Sequence, residues 1–101
     1  MLRHVVLLEL RAGAPAGRAE AIAAALRALP GVIPGIISYE VSVDLGLSGG
    51  GNAHLGVVAT FEDEAAWRGY GPHPEHQAVV TELVAPVLRR RLALQADLTD
   101  R

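Results

Sequence analysis

Apolar residues occupy both parities between Leu2 and Leu10, interrupted only by Arg3, His4 and Glu9. That pattern suits a central strand covered on both faces. From Pro15 to Leu29 the period lengthens: Ala19, Ile22, Ala25 or Leu26, and Leu29 recur every three to four residues, while Arg18 and Arg27 fall off the stripe. The spacing predicts an amphipathic helix with Pro15 in its first turn, where a missing N–H costs nothing. Residues 36 to 45 then alternate, with Ile37, Tyr39, Val41, Val43 and Leu45 on one face and Ser38, Glu40, Ser42 and Asp44 on the other. A strand over residues 53 to 61 follows, with Leu55, Val57, Ala59 and Phe61 on one side and His54, Gly56, Val58 and Thr60 opposite. Asp63 is placed to cap a short helix reaching about Tyr70, and Pro74 opens a second one with the stripe His76, Val79, Val80, Leu83, Val84 and Val87, ending near Pro86. Leu92, Leu94, Ala96 and Leu98 alternate as a last strand.

The order strand, helix, strand, strand, helix pair, strand is the split β-α-β arrangement. The expected fold class is therefore α+β, a ferredoxin-like four-stranded antiparallel sheet with helices on one face. If the odd residues of the first strand meet the helices, the other face carries His4, Val6, Leu8 and Leu10. So apolar a surface on a small domain calls for a partner, and a homodimer packed sheet against sheet supplies one.

A length of 101 residues suffices for a single domain, 1–101, and not for two. All nine cations are arginine against eleven acids, a formal charge of -2. With no basic stripe to neutralise a phosphate backbone, nucleic acid is not an expected partner. Cysteine is absent, which removes disulfides, thiolate metal sites and a cysteine nucleophile. Val5-Val6-Leu7-Leu8 is far too short to span a membrane. These features point to a soluble, cytoplasmic protein.

Candidate chemistry centres on four histidines, since imidazole exchanges a proton near neutral pH. His4 lies in an apolar strand, where a satisfied core role competes with a functional one. His54 opens the third strand beside Gly56, whose missing side chain leaves room for the ring or else marks a bulge. His73 reads as a helix cap or a solvated ring. His76 occupies the first turn of the last helix, three and four residues before Val79 and Val80, so helical geometry turns it toward the sheet. Tyr70 ends the preceding helix, and Gly71-Pro72 turns the chain between them, bringing a phenol and an imidazole to one pocket mouth unless Tyr70 is only a core aromatic. Trp67 is assigned to the core. Glu62, Asp63 and Glu64 read as a solvated helix start, and Arg89-Arg90-Arg91 as a charged edge, the minority reading being a hold on an acidic substrate group. Gly49-Gly50-Gly51 lacks the lysine and helix of a nucleotide loop.

The runs Arg3-His4-Val5-Val6-Leu7-Leu8, Leu29-Pro30-Gly31-Val32-Ile33-Pro34-Gly35-Ile36, His54-Leu55-Gly56-Val57-Val58-Ala59-Thr60-Phe61 and Tyr70-Gly71-Pro72-His73-Pro74-Glu75-His76-Gln77 resemble the stress-responsive dimeric α/β-barrel family, the Dabb domain. The His-Pro-x-His element joined to a first-strand histidine is the specific part. The resemblance implies a ferredoxin-like protomer whose sheet closes with that of a second copy into a dimeric α/β barrel. It also implies the chemistry of the family's polyketide cyclases of the olivetolic acid type, an intramolecular aldol condensation of a poly-β-keto chain. On that likeness the catalytic residues are His76 as general base and Tyr70 assisting, with His4 and His54 as substrate-binding histidines. Gly71, Pro72 and Val79 depart from the bulkier residues of those relatives.

The expected activity is thus that of a cyclase or lyase-type enzyme on a small polyketide-like molecule, with no cofactor and no metal required. A C–H between two carbonyls is acidic enough for one neutral imidazole. The competing readings are a ligand-binding or stress-responsive barrel without turnover, a three-imidazole metal site, and a cofactor-free oxygenase.

Overall fold

The computed structural model describes residues 1–99. Strand β1 (Leu2–Leu10) leads to helix α1 (Arg18–Arg27), a 3-10 turn (Leu29–Gly31), strands β2 (Ile36–Val43) and β3 (Leu55–Phe61), helices α2 (Glu64–Tyr70) and α3 (Pro74–Val79), and strand β4 (Leu88–Asp97). The sheet order is β2-β3-β1-β4, with every neighbouring pair antiparallel. This is the expected α+β ferredoxin-like arrangement. No helix among the described residues is long and apolar enough to cross a membrane.

The inward face of β1 is the reverse of the one considered above. His4, Val6, Leu8 and Leu10 are buried under the helices, with Leu55, Val57, Ala59 and Phe61 beside them on β3. The open face instead carries Val5, Leu7, Val58, Leu92 and Leu94. Both parities of β1 are apolar, so its own pattern does not fix which side meets the helices; the register with the alternating β3 does.

Two helices and one strand differ from expectation. Helix α1 begins at Arg18, after Gly17 at φ 81, and Pro15 lies in the preceding turn with its carbonyl accepting from the Arg18 N–H at 3.1 Å. A bulge between Ile36 and Ser38 breaks the alternation of β2, leaving Ile37 outside at 54% exposure while Tyr39, Val41 and Val43 stay on the inward side. Leu45, beyond the strand end, is 82% exposed. After α3 the chain widens into a π-helical segment (Val80–Val84) and tightens into a 3-10 turn (Ala85–Val87) at Pro86. A π-turn leaves backbone groups short of their usual partners. The Leu83 carbonyl finds one in the Arg18 guanidinium, 3.1 Å away, which ties this segment to α1.

Candidate functional site

The helix layer does not seal the sheet completely. A cavity of about 520 Å³ remains between β1, β4 and the α2–α3 corner, lined by His4, Tyr70, His76, Gln77, Arg91 and an aliphatic wall that includes Leu8, Leu26, Val57, Val80 and Val84. Its size falls within the usual range for small-molecule sites.

His76 reaches the cavity because Pro74 starts α3 and His73 caps it, the His73 Nδ1 accepting from the Glu75 N–H at 3.1 Å. That cap settles the choice left open for His73. The Nδ1 of His76 lies 2.9 Å from the Gly71 carbonyl oxygen. A carbonyl only accepts, so Nδ1 carries the proton and Nε2 keeps its lone pair. Gln77 also donates to this oxygen, at 2.8 Å, and so helps hold the corner that orients the ring. Burial lowers the His76 pKa from its ordinary value, the Gly71 carbonyl opposes that, and the charges of Arg91 and His73 add to it. The imidazole is neutral at pH 7.

Tyr70, 5% exposed, is brought in by α2, which Asp63 caps by accepting the Ala66 N–H at 2.8 Å. Its ring centroid lies 4.3 Å from that of His76 and 5.9 Å from that of His4. The Tyr70 hydroxyl shares a 2.6 Å hydrogen bond with the Tyr39 hydroxyl on β2. Burial raises the pKa of both phenols, so both are protonated at neutral pH. With Tyr39 donating, the Tyr70 O–H is left for a ligand, and accepting one bond strengthens the next it donates. Tyr39 was absent from the sequence-based site; a polar-tipped aromatic in an otherwise aliphatic inward row was its signal.

His4 is 3% exposed. Its Nδ1 accepts from the Trp67 indole Nε1–H at 3.3 Å and meets the Gln95 side-chain amide at 2.9 Å. Indole is donor-only, so the His4 proton sits on Nε2. Burial, then the charges of Arg91 and His76, push its pKa down to about 4. His4 is therefore a neutral N–H donor. Trp67, read above as core, also fixes this tautomer.

His54 is not brought to the cavity. It is exposed in the segment before β3, where its Nδ1 accepts the Leu10 N–H at 2.9 Å and its backbone N–H bonds Leu8. The alternation of β3 explains the correction: Leu55, Val57 and Ala59 face inward opposite Leu8, Val6 and His4, so an even-numbered residue belongs to the other side. Arg91 is the opposite case. It stands in register with inward-facing Leu8 and lines the cavity, although Arg89 of the same run does pair with Glu9 at 3.3 Å. Among the described residues no three histidine, aspartate or glutamate side chains gather as metal ligands.

Comparison with known proteins places these features in context. The profile of the Stress responsive A/B Barrel Domain, Dabb, matches residues 2–97. A dimeric ferredoxin-like protein of unknown function from Thermobifida fusca is 35% identical, with a TM-score of 0.84 over 96% of this chain and 90% of that one. A dimeric protein of unknown function from Bacteroides fragilis is 24% identical, with a TM-score of 0.83 over 96% and 95%. A hydroxynitrile lyase from Passiflora edulis shares the fold at 16% identity, with a TM-score of 0.80 over 99% and 94%. No curated protein sequence matches the chain.

Proposed function

Since the chain belongs to the stress-responsive A/B barrel (Dabb) family, whose solved relatives include dimers, we propose that it is a homodimeric enzyme using His76 as a general base on a 1,3-dicarbonyl, polyketide-like substrate. The observation that carries this reading is the 2.9 Å contact from His76 Nδ1 to the Gly71 carbonyl, which leaves an unprotonated Nε2 on a half-buried, neutral imidazole. A base needs its lone pair free and its ring held, and this arrangement provides both without a carboxylate partner.

In the proposed reaction Nε2 takes a proton from the carbon between two carbonyls. The enolate oxygen gains the Tyr70 O–H and the His4 Nε2–H as donors, which favour charge that develops only on the way to the transition state. The enolate carbon then bonds to a carbonyl carbon further along the same chain. The C=O π electrons pass to that oxygen, and the imidazolium returns its proton there; loss of water completes the condensation. The aliphatic wall of Leu26, Val57, Val80 and Val84 accommodates an unreactive hydrocarbon segment and keeps water from the enolate. His54 has no part in this chemistry.

The test is cyclisation of a linear 3,5,7-trioxo acid, in which C2 can close on the C7 carbonyl to a six-membered ring, followed by mass spectrometry, in the wild type and in His76→Ala. General-base catalysis is typically worth about 10²- to 10⁴-fold, and a loss of that order with retained fold is expected. Unchanged cyclisation would remove His76 as the base. Ligand-induced stabilisation with no product in either protein would favour the reading as a binding barrel without turnover.

A further inference from the structure

We propose that Arg91 forms an anion-binding end of the cavity, so that the molecule taken there is amphipathic, with a carboxylate against the guanidinium and an aliphatic body along the wall. This deepens the reading of the same site by naming the substrate class, and it rests on that reading only for what happens after binding.

Three observations on the arginines carry it. Arg89 is engaged by Glu9 at 3.3 Å, and Arg90 stands opposite Glu9 on the open face of the sheet. Arg91 alone of the run faces the helix side, in register with Leu8, and has no acidic partner among the described residues. The other arginine at the cavity, Arg68, is already held by Glu64 through its Nε at 2.7 Å. Among the described residues no acidic side chain lines the cavity. A guanidinium beside a low-dielectric wall attracts an anion more strongly than one in bulk water, and its fork matches a carboxylate in two-point geometry.

The charge is also felt by the reacting groups. Arg91 contributes to the lowered pKa of His4 and His76. A carboxylate docked on Arg91 offsets that influence, so by linkage both imidazoles become easier to protonate when the site is filled. The anionic end thus anchors the substrate and tunes the base that acts on it.

The experiment uses calorimetry with octanoate, its neutral isostere octanamide, and inorganic phosphate, on the full chain as wild type, Arg91→Gln and Arg91→Lys. One charge-assisted contact corresponds to about 10- to 100-fold in affinity. Wild type should prefer octanoate over octanamide by that factor, Arg91→Gln should abolish the preference, and Arg91→Lys should keep part of it. The exposed position of Arg91 on an edge strand makes these substitutions compatible with folding, which circular dichroism checks. In NMR titrations octanoate should move the pKa of His4 and His76 upward in wild type and not in Arg91→Gln. Equal binding of octanoate and octanamide, a preference surviving in Arg91→Gln, or phosphate binding as tightly as octanoate would overturn the proposal. Pentane-2,4-dione carries no charge, so enzyme-promoted exchange of its central C–H for deuterium reads His76 independently. Exchange without octanoate preference removes the anion site and leaves the base, and octanoate preference without exchange does the reverse.

Discussion

Two imidazoles on one cavity, His4 buried and His76 half-buried, carry their protons in different places because their partners differ. His76 Nδ1 faces a carbonyl and must donate, whereas His4 Nδ1 faces an indole N–H and must accept. Neutral donor and neutral base are thereby separated without an ion pair. Both rings are harder to protonate than a solvated histidine, and this has consequences for stability and for rate. In the unfolded chain His4 binds its proton near pH 6.5, and in the native protein only near about 4. The native state is thus favoured fully above pH 6.5, and that contribution, up to about 3 kcal/mol, is lost as pH falls toward 4. Urea unfolding of wild type should show stability falling through this window, and His4→Gln should flatten most of the fall. An unchanged slope would mean that His4 is not a protonation-sensitive element of the fold. For rate, a base at His76, as proposed, should give deuterium exchange into pentane-2,4-dione an acid limb below the ordinary imidazole value, because burial lowers the His76 pKa; a pH profile of kcat/KM measures it.

At the scale of elements, the site depends on how α2 is seated against the turn that leads into β2. Gly35 adopts φ +86, and a Cβ there would lie 2.5 Å from the Ala66 Cβ. Its carbonyl also accepts the Glu62 N–H at 3.0 Å, fixing the chain just ahead of α2. Gly35→Ala therefore incurs both a left-handed backbone penalty and displacement of α2, together about 1–3 kcal/mol. The expected result is a lowered denaturation midpoint and a larger loss of exchange activity than of fold, because Tyr70 rides on α2; a variant matching wild type in both would show that α2 is seated by other contacts. The elements themselves were largely legible, since alternation, caps and the change of period are written into neighbouring residues. Asp63, Pro74 and the stripe from His76 to Val87 needed no distant information. What escaped was settled by residues far along the chain. The inward parity of β1 comes from its pairing with β3, the His4 tautomer from Trp67, and the Tyr39–Tyr70 contact from strand register. His54 was misplaced because the motif that suggested it carries no record of which side of the sheet it meets, although the alternation of residues 55 to 61 did.

The whole molecule leaves one side of its sheet uncovered. Across it run two apolar rows defined by the pairing, Val58–Val5–Leu94 and Leu7–Leu92 beside Gly56. Leu7 is 46% exposed, Val58 40%, Leu92 51% and Leu94 61%. A Cβ at Gly56 would stand only 3.0 Å from Leu7 Cδ2, so the glycine lets the Leu7 side chain lie over β3 and extends the apolar surface. Opposite-facing helices cannot reach this surface, and a second copy of the chain offers the matching apolar face. In a two-fold arrangement each substitution occurs twice, so one charge placed in the centre of the patch introduces two into a single interface. Leu94→Glu should therefore convert a dimer into a monomer at micromolar concentration in sedimentation velocity, because burying an unpaired carboxylate costs far more than the leucine contact it replaces. Ser38→Glu, on the polar end of the same face, serves as the comparison for added charge alone and should dissociate the dimer less. If the cavity belongs wholly to one protomer, the Leu94→Glu monomer still binds octanoate through Arg91; a dimer that persists in Leu94→Glu would show that the copies meet through another surface.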